Sequence, residues 1–367
     1  MNKPLLIRFL AHPDVVADFS AEQWSLFVRQ ADGSALWPYA IAVLKQYQLI
    51  DQVPEHLRWR VEAAANVAAS HHLSMEWEIG CLSAALREVH ASLVLLKGAA
   101  YLAARLPYSD ARLYGDVDIL VPEDKLAVIT AALQRHGWLF EQKDEYDQRF
   151  YREWSHELPP MRNAYRFTNL DMHFTIFPRK GRYQPNPELL LREKRASGLA
   201  SEVYTLCSED MVLHCATHQF GDGEFDRGLR NLVDLRGLLQ TYAGKQDFWE
   251  RLLERAQLLG LQEPLYLALS ALQSILNHEL PEVIQDHVRR WLQQSWRHQV
   301  VAKCFKLATT PQHPSCLGVT TRLARFVLYL RGHHLRLPLH LLVPHLVRKS
   351  YLQWTNGKQR EEQEFQG

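Results

Sequence analysis

Asp116, Val117 and Asp118 are followed directly by Ile119, Leu120 and Val121 in a chain of 367 residues. In an extended strand alternate side chains face opposite sides, so the two carboxylates project together while Val117, Ile119 and Val121 turn toward a core. Side-by-side carboxylates repel unless a positive charge lies between them, and a hard divalent cation with oxygen ligands suits that gap. A short Asp-x-Asp triplet also fits an ordinary solvated strand end. The unbroken apolar run behind it and a Lys-Gly pair upstream favour the metal site. On this reading, removing one of the two charges relieves repulsion in the metal-free protein.

The elements that must position these acids are legible nearby. Gly98 stands eighteen residues before Asp116, preceded by Lys97 and the run Leu93-Val94-Leu95-Leu96. That run is long enough for one buried strand over 91–96. Gly98 is expected to let the backbone turn tightly and approach a ligand. Helix formers resume over 99–106, and unpaired N–H groups at a helix start favour phosphate. Residues 107–115 read as a loop that delivers the chain to the acidic strand. Pro122-Glu123-Asp124 then opens a helix through Leu126, Ile129, Ala132 and Leu133 that stops at Gly137. Further on, Leu170, Met172, Phe174 and Ile176 alternate with Asp171, His173 and Thr175. This predicts a half-buried strand over 169–177 with Asp171 and His173 on its polar face.

Lys97 and Arg112 are the cations nearest the acids in sequence and could clamp a phosphate. Ser208-Glu209-Asp210 reads as a capped helix start. His214 and His218 lie four apart on one face of that helix, and without further ligands their plain reading is packing rather than zinc. Arg230 and Asp234, also four apart, read as a surface ion pair of little energetic weight.

A strand, Lys-Gly turn, helix, loop and acidic strand in this order resemble the DNA polymerase beta-like nucleotidyltransferase superfamily. More narrowly, the chain resembles a bacterial nucleotidyltransferase family marked by Leu-Lys-Gly-x-Ala, then Arg, then Asp-x-Asp with apolar residues behind. Here these stand as Leu96-Lys97-Gly98-Ala99-Ala100, Arg112 and Asp116-Val117-Asp118-Ile119-Leu120-Val121. The likeness extends upstream through Trp24, Trp37 and Pro54. Downstream it takes in Leu170-Asp171-Met172-His173-Phe174 and a helical segment over 208–239, and so covers most of the chain to about residue 240. It implies an α+β fold, with a small mixed β-sheet core flanked by N- and C-terminal helical domains. It implies that Asp171 completes a metal-binding triad with Asp116 and Asp118, holding Mg²⁺ or Mn²⁺. It implies that Lys97, Gly98, Ala99 and Arg112 bind the nucleotide, and that His173, His214, His218, Arg230 and Asp234 line the substrate side of the cleft. One departure matters: the broader superfamily usually places Ser or Gly where Ala99 stands. A hydroxyl to phosphate is therefore missing, which leaves more to Lys97 and the backbone.

Composition is that of an ordinary soluble chain, with a formal net charge of +1. The five cysteines are odd in number and scattered, which fits a reducing cytoplasm rather than a disulfide framework. No stretch approaches the ~18–20 apolar residues of a membrane span, and the apolar stretch after Pro4 is too short for a signal peptide. Charge is unevenly spread: residues 287–360 hold thirteen Lys or Arg, seven His and no Asp or Glu, so the remainder carries −12. This segment, with Trp291, Trp296, Phe326, Tyr329, Tyr351 and Trp354 among its charges, suits either an anionic partner or packing on the acidic remainder. Pro338 and Pro344 break its later part. We therefore expect a helical domain over 1–90, an α/β core over 91–205 and a helical domain with the basic segment over 206–367.

The expected activity is metal-dependent transfer of a nucleoside monophosphate from an NTP, ATP among the candidates, with release of pyrophosphate. The acceptor is open: a small molecule, a peptide or protein side chain, or an RNA end. Two other readings compete. A glycosyltransferase also uses Asp-x-Asp for a metal-bound nucleotide, but its apolar strand usually precedes the acids, whereas here it follows them. A catalytically inactive fold kept as a binding module would have little reason to retain two repelling carboxylates.

Overall fold

The chain is described by a computed structural model over residues 3–141, 151, 154–338 and 340. Its strands are β1 (Leu93–Leu96), β2 (Val117–Leu120), β3 (Trp138–Phe140), β4 (Met161–Asn163), β5 (Asn169–His173), β6 (Arg195–Ala196) and β7 (Val203–Thr205). They form one seven-stranded sheet in the order β3-β4-β5-β2-β1-β7-β6. β1 and β2, at the centre, are buried at every position, Asp118 included. β2 runs antiparallel to β1 and parallel to β5. Mixed pairing of this kind, with helices before and after it, is the expected α+β class.

Register is what positions the acids. Asp118 lies opposite Leu96 of β1 on one side and opposite Asp171 of β5 on the other. β5 ends at His173 rather than continuing to 177. The cause is its partner: β2 stops at Leu120, which pairs with His173, and beyond that point there is no ladder to join. The Phe174 and Thr175 amides turn instead to the His156 carbonyl, which brings residues 155–157 alongside the end of β5.

The N-terminal helices pack around an edge-to-face aromatic cluster of Phe9, Phe19, Trp24, Phe27 and Trp37, with ring centroids 4.9–6.0 Å apart. Helix Ala21–Gly33 opens with a capping box between Ser20 and Gln23. The long helix Arg58–Arg87 then leads into β1. After Pro122 the expected helix begins with a 3₁₀ turn, Glu123–Lys125, before Leu126–Arg135. Downstream, helix Ser208–Asp222 is buried on nearly all sides. It is enclosed by helices Gly228–Tyr242, Gln262–Leu276 and Val319–Arg336. Its N-cap is Cys207 rather than Ser208, whose hydroxyl donates to Glu209 instead. Arg236 ties helix Gly228–Tyr242 to the N-terminal helices by donating to the Leu10 carbonyl and the Tyr39 hydroxyl.

In the basic segment, helix Val319–Arg336 turns Thr321, Ala324, Leu328, Gly332 and Leu335 inward. Gly332 and Gly223 meet backbone to backbone, and a Cβ at either would strike the other helix. Two of its cations reach acids outside the segment: Arg331 bonds Glu263 at 2.7 Å, and Arg336 pairs with Asp222. Its Leu323, Phe326 and Leu330 are exposed. Tyr351, Trp354 and Pro344 lie outside the described residues. Among the described residues, no helix is long and apolar enough to cross a membrane.

Candidate functional site

Lys97 sits where β1 becomes helix Lys97–Ala103, and it is this residue, at φ +45°, that adopts the left-handed conformation. The turn was expected at Gly98. Gly98 has a different use: a Cβ there would collide with the guanidinium of Arg112. The absent side chain is thus a slot for Arg112 rather than a hinge. A non-glycine residue held at positive φ carries backbone strain, which clusters at functional positions.

The strained turn aims the Lys97 ammonium at Asp118, to which it donates at 2.7 Å. Asp118 is almost fully buried, and His173 Nε2 lies 3.0 Å from the same carboxylate oxygen. Burial alone would raise the Asp118 pKa, but Lys97 and His173 outweigh it and hold this carboxyl well below the usual range. Burial likewise works against the Lys97 charge, and Asp118 overrides it, so its pKa is raised. Asp116, one residue before β2, is much more open: its side chain is 37% exposed, with Arg227 3.8 Å away. The two acids of the triplet therefore differ, one locked into a buried network and the other facing solvent.

Asp171 stands beside Asp118 in register. Burial, followed by the negative charges of Asp118, Glu157 and Asp116, pushes its carboxyl up to about 7. This has a measurable consequence in the metal-free protein. A raised carboxylate pKa means the folded state holds its proton more tightly, so Asp171 costs stability as pH rises from about 4 to about 7, and the cost persists above. Asp171→Asn should thus stabilise the chelator-treated protein by on the order of 2 kcal/mol at pH 8 and by little at pH 4. Denaturant unfolding at both pH values checks this. An Asn variant equally or less stable than wild type at pH 8 contradicts it.

The Arg112 side chain is largely enclosed, with 10% of its surface exposed. Its Nε lies 3.2 Å from both oxygens of Asp234, its Nη2 completes the pair at 3.2 Å, and it stacks over Tyr101 and Tyr114. Burial would lower its pKa, but Asp234 outweighs burial and keeps the guanidinium charged. The i,i+4 reading of Arg230 with Asp234 gives way to this pair, because Arg112 approaches Asp234 from across the fold. Arg230 is buried and donates at 3.5 Å to the Leu113 carbonyl. Burial and the nearby Arg112 charge bring its pKa down to about 10.

His173 was expected on an open polar face and is instead 1% exposed, because residues 155–157 fold over the end of β5. His214 is buried on helix Ser208–Asp222, whereas the His218 side chain stays 35% exposed, 3.7 Å from Asp222. Burial, then the Lys97 charge, depresses both, His218 to about 4, so that each is neutral at pH 7. Four side chains that the sequence did not single out join the site: His156, Glu157, Asp222 and Arg227. Glu157 bridges to His173 across an isolated β-bridge, and no local spacing signals such a contact.

Asp118 and Asp171 lie side by side in register on neighbouring strands and Asp116 stands two residues before Asp118, and the charges of Asp118 and Asp116 contribute to the Asp171 shift.

Residues 20–277 match the family model described as uncharacterised nucleotidyltransferase, and the chain belongs to that family. The chain matches no curated protein and no solved structure.

Proposed function

We propose that this protein transfers a nucleoside monophosphate from a Mg²⁺- or Mn²⁺-bound NTP to a hydroxyl-type acceptor, releasing pyrophosphate. The observation that carries this reading is the register of Asp118 against Asp171, with Asp116 at the open edge and Lys97 pinned beside them. Asp116, Asp118 and Asp171 would hold the metal. Bound there, a divalent cation supplies charge neutralisation for the triphosphate and for the displaced oxygen. Asp118 is kept ionised by Lys97 and His173, so it is a permanent ligand. Asp171, with its pKa near neutrality, is suited to take the proton of the attacking hydroxyl. Lys97 spends one of its three N–H donors on Asp118 and has others to offer a phosphate oxygen, next to the amides of Gly98 and Ala99. Arg112 acts from behind, its charge balanced by Asp234 and its guanidinium filling the slot at Gly98. His173 holds Asp118 from within the fold, and the neutral His214 and His218 would contribute to the substrate side of the cleft.

Lys97→Ala should raise the Kd for Mg-NTP at least about tenfold, the loss of one charge-assisted contact. It should also lower the melting temperature, since Asp118 would lose its main partner. Calorimetric titration and a thermal scan measure the two effects. Unchanged affinity with a large loss of stability would make Lys97 purely structural.

To test the activity, the protein is incubated with each α-labelled NTP, Mg²⁺ or Mn²⁺ and a cell extract, and the labelled acceptor is identified. The reading expects one class of molecule to gain label in wild type and none with Asp116→Asn. Label gain that survives in the variant overturns it. The glycosyltransferase reading predicts transfer from a nucleotide sugar and none from an NTP.

A further inference from the structure

Next to Asp118, around His173, lies a group of side chains with unpaired donor atoms. His173 Nε2 points at Asp118 Oδ1 at 3.0 Å. Asp118 is ionised in its pair with Lys97, so Nε2 carries the hydrogen and donates. The other ring nitrogen is Nδ1. It is buried, makes no hydrogen bond, and stands 3.4 Å from Glu157 Oε2. His156 closes the group: its Nε2 lies 3.8 Å from the same Glu157 oxygen, and its ring centroid is 5.2 Å from that of His173. The His156 Nδ1 is also buried without a hydrogen bond. The ligand atoms of His156, Glu157 and His173 all lie within 4.8 Å of one another.

We propose that His156, Glu157 and His173 form a site for a divalent transition metal, with zinc as the best-matched ion, adjoining the carboxylate site of the nucleotide but with its own ligands. Two imidazoles and one carboxylate are a donor set for zinc and its neighbours in the first transition row, whereas Mg²⁺ prefers oxygen alone. Ligand bonds of 2.0–2.1 Å in a tetrahedron separate donor atoms by roughly 3.3 Å, which small side-chain rotations reach from the distances above. The site also has the outer partner that metal-bound histidines usually keep. The metal takes Nδ1 of His173 while Nε2–H donates to a carboxylate, here Asp118. Bound metal would fix the tautomer of His173 and so hold Asp118 in its orientation toward the cleft. His173 is in this sense a positioning residue for Asp118.

The test uses the full chain, stripped with chelator and titrated with Co²⁺ as the spectroscopic probe. One equivalent should bind with the visible absorption of imidazole-ligated Co²⁺, resist excess Mg²⁺ and be displaced by Zn²⁺. His156→Ala and the near-isosteric Glu157→Gln should each weaken binding at least tenfold, with Asp116→Asn leaving it unchanged. Because stoichiometry is read on the wild-type chain, the result does not depend on whether a variant folds. Failure to bind Co²⁺ overturns the proposal, as does binding indifferent to both substitutions. Nitrogen NMR showing both ring nitrogens of His173 protonated overturns it too, since a doubly protonated ring would bridge Asp118 and Glu157 with no metal. None of these outcomes bears on nucleotide transfer, which Asp116→Asn tests separately.

Discussion

Asp118→Asn should abolish transfer, by roughly 10³-fold or more in kcat/KM, equivalent to about 4 kcal/mol of barrier. It should also destabilise the protein. The sequence alone suggests the opposite for stability, since two adjacent carboxylates repel. The fold separates them. Asp116 is open to solvent, while Asp118 is buried against Lys97 and His173. Taking the charge from Asp118 leaves a largely buried ammonium without its paired carboxylate, with only the weaker charges of Glu157 and Asp116 acting on it. The expected cost is about 2 kcal/mol, below that of a fully buried pair because the Lys97 side chain keeps 24% of its exposure. Asp116→Asn, by contrast, should lose activity with little change in stability. Denaturant midpoints for the two variants, measured beside wild type in chelator, separate the cases. Equal stability of both variants would contradict the asymmetry of the pair.

Asp234→Asn should be the most destabilising single polar substitution in the site, at about 3–5 kcal/mol. Arg112 cannot relax away from Asp234: Gly98 lies against one side of its guanidinium and Tyr101 and Tyr114 against its faces. An unpaired guanidinium would therefore stay buried, and its pKa, set by burial against Asp234, would fall. The companion change Arg112→Met, which removes the buried charge from the other side, should recover part of the loss when combined with Asp234→Asn. A double-mutant cycle by chemical denaturation measures the coupling. Additive losses would show that the pair is not the source of the effect.

Much of this site is legible in one dimension. The strands that carry Asp118 and Asp171, and the Lys-Gly junction before them, follow from apolar runs and alternation, which depend only on near neighbours. The partners of these residues do not. Arg112 and Asp234 are 122 positions apart, and their pairing depends on how helix Gly228–Tyr242 docks on the core. Gly98 marks a turn in sequence, but its actual use as a slot depends on a side chain that arrives from another loop. The far end of β5 is not legible because alternation continues to Ile176 while the neighbouring strand stops at Leu120. Burial of His173 and its contact with Glu157 follow from that early end, which no local pattern reports.

The most direct test of nucleotide transfer is the fate of label placed at two positions of one NTP. With Mg²⁺ and the acceptor fraction, label at the α-phosphate should enter the acceptor while label at the γ-phosphate leaves as pyrophosphate. Asp171→Asn should stop both. Transfer of the γ-label to the acceptor, with the α-label left in a nucleoside diphosphate, would contradict monophosphate transfer and make the protein a phosphotransferase.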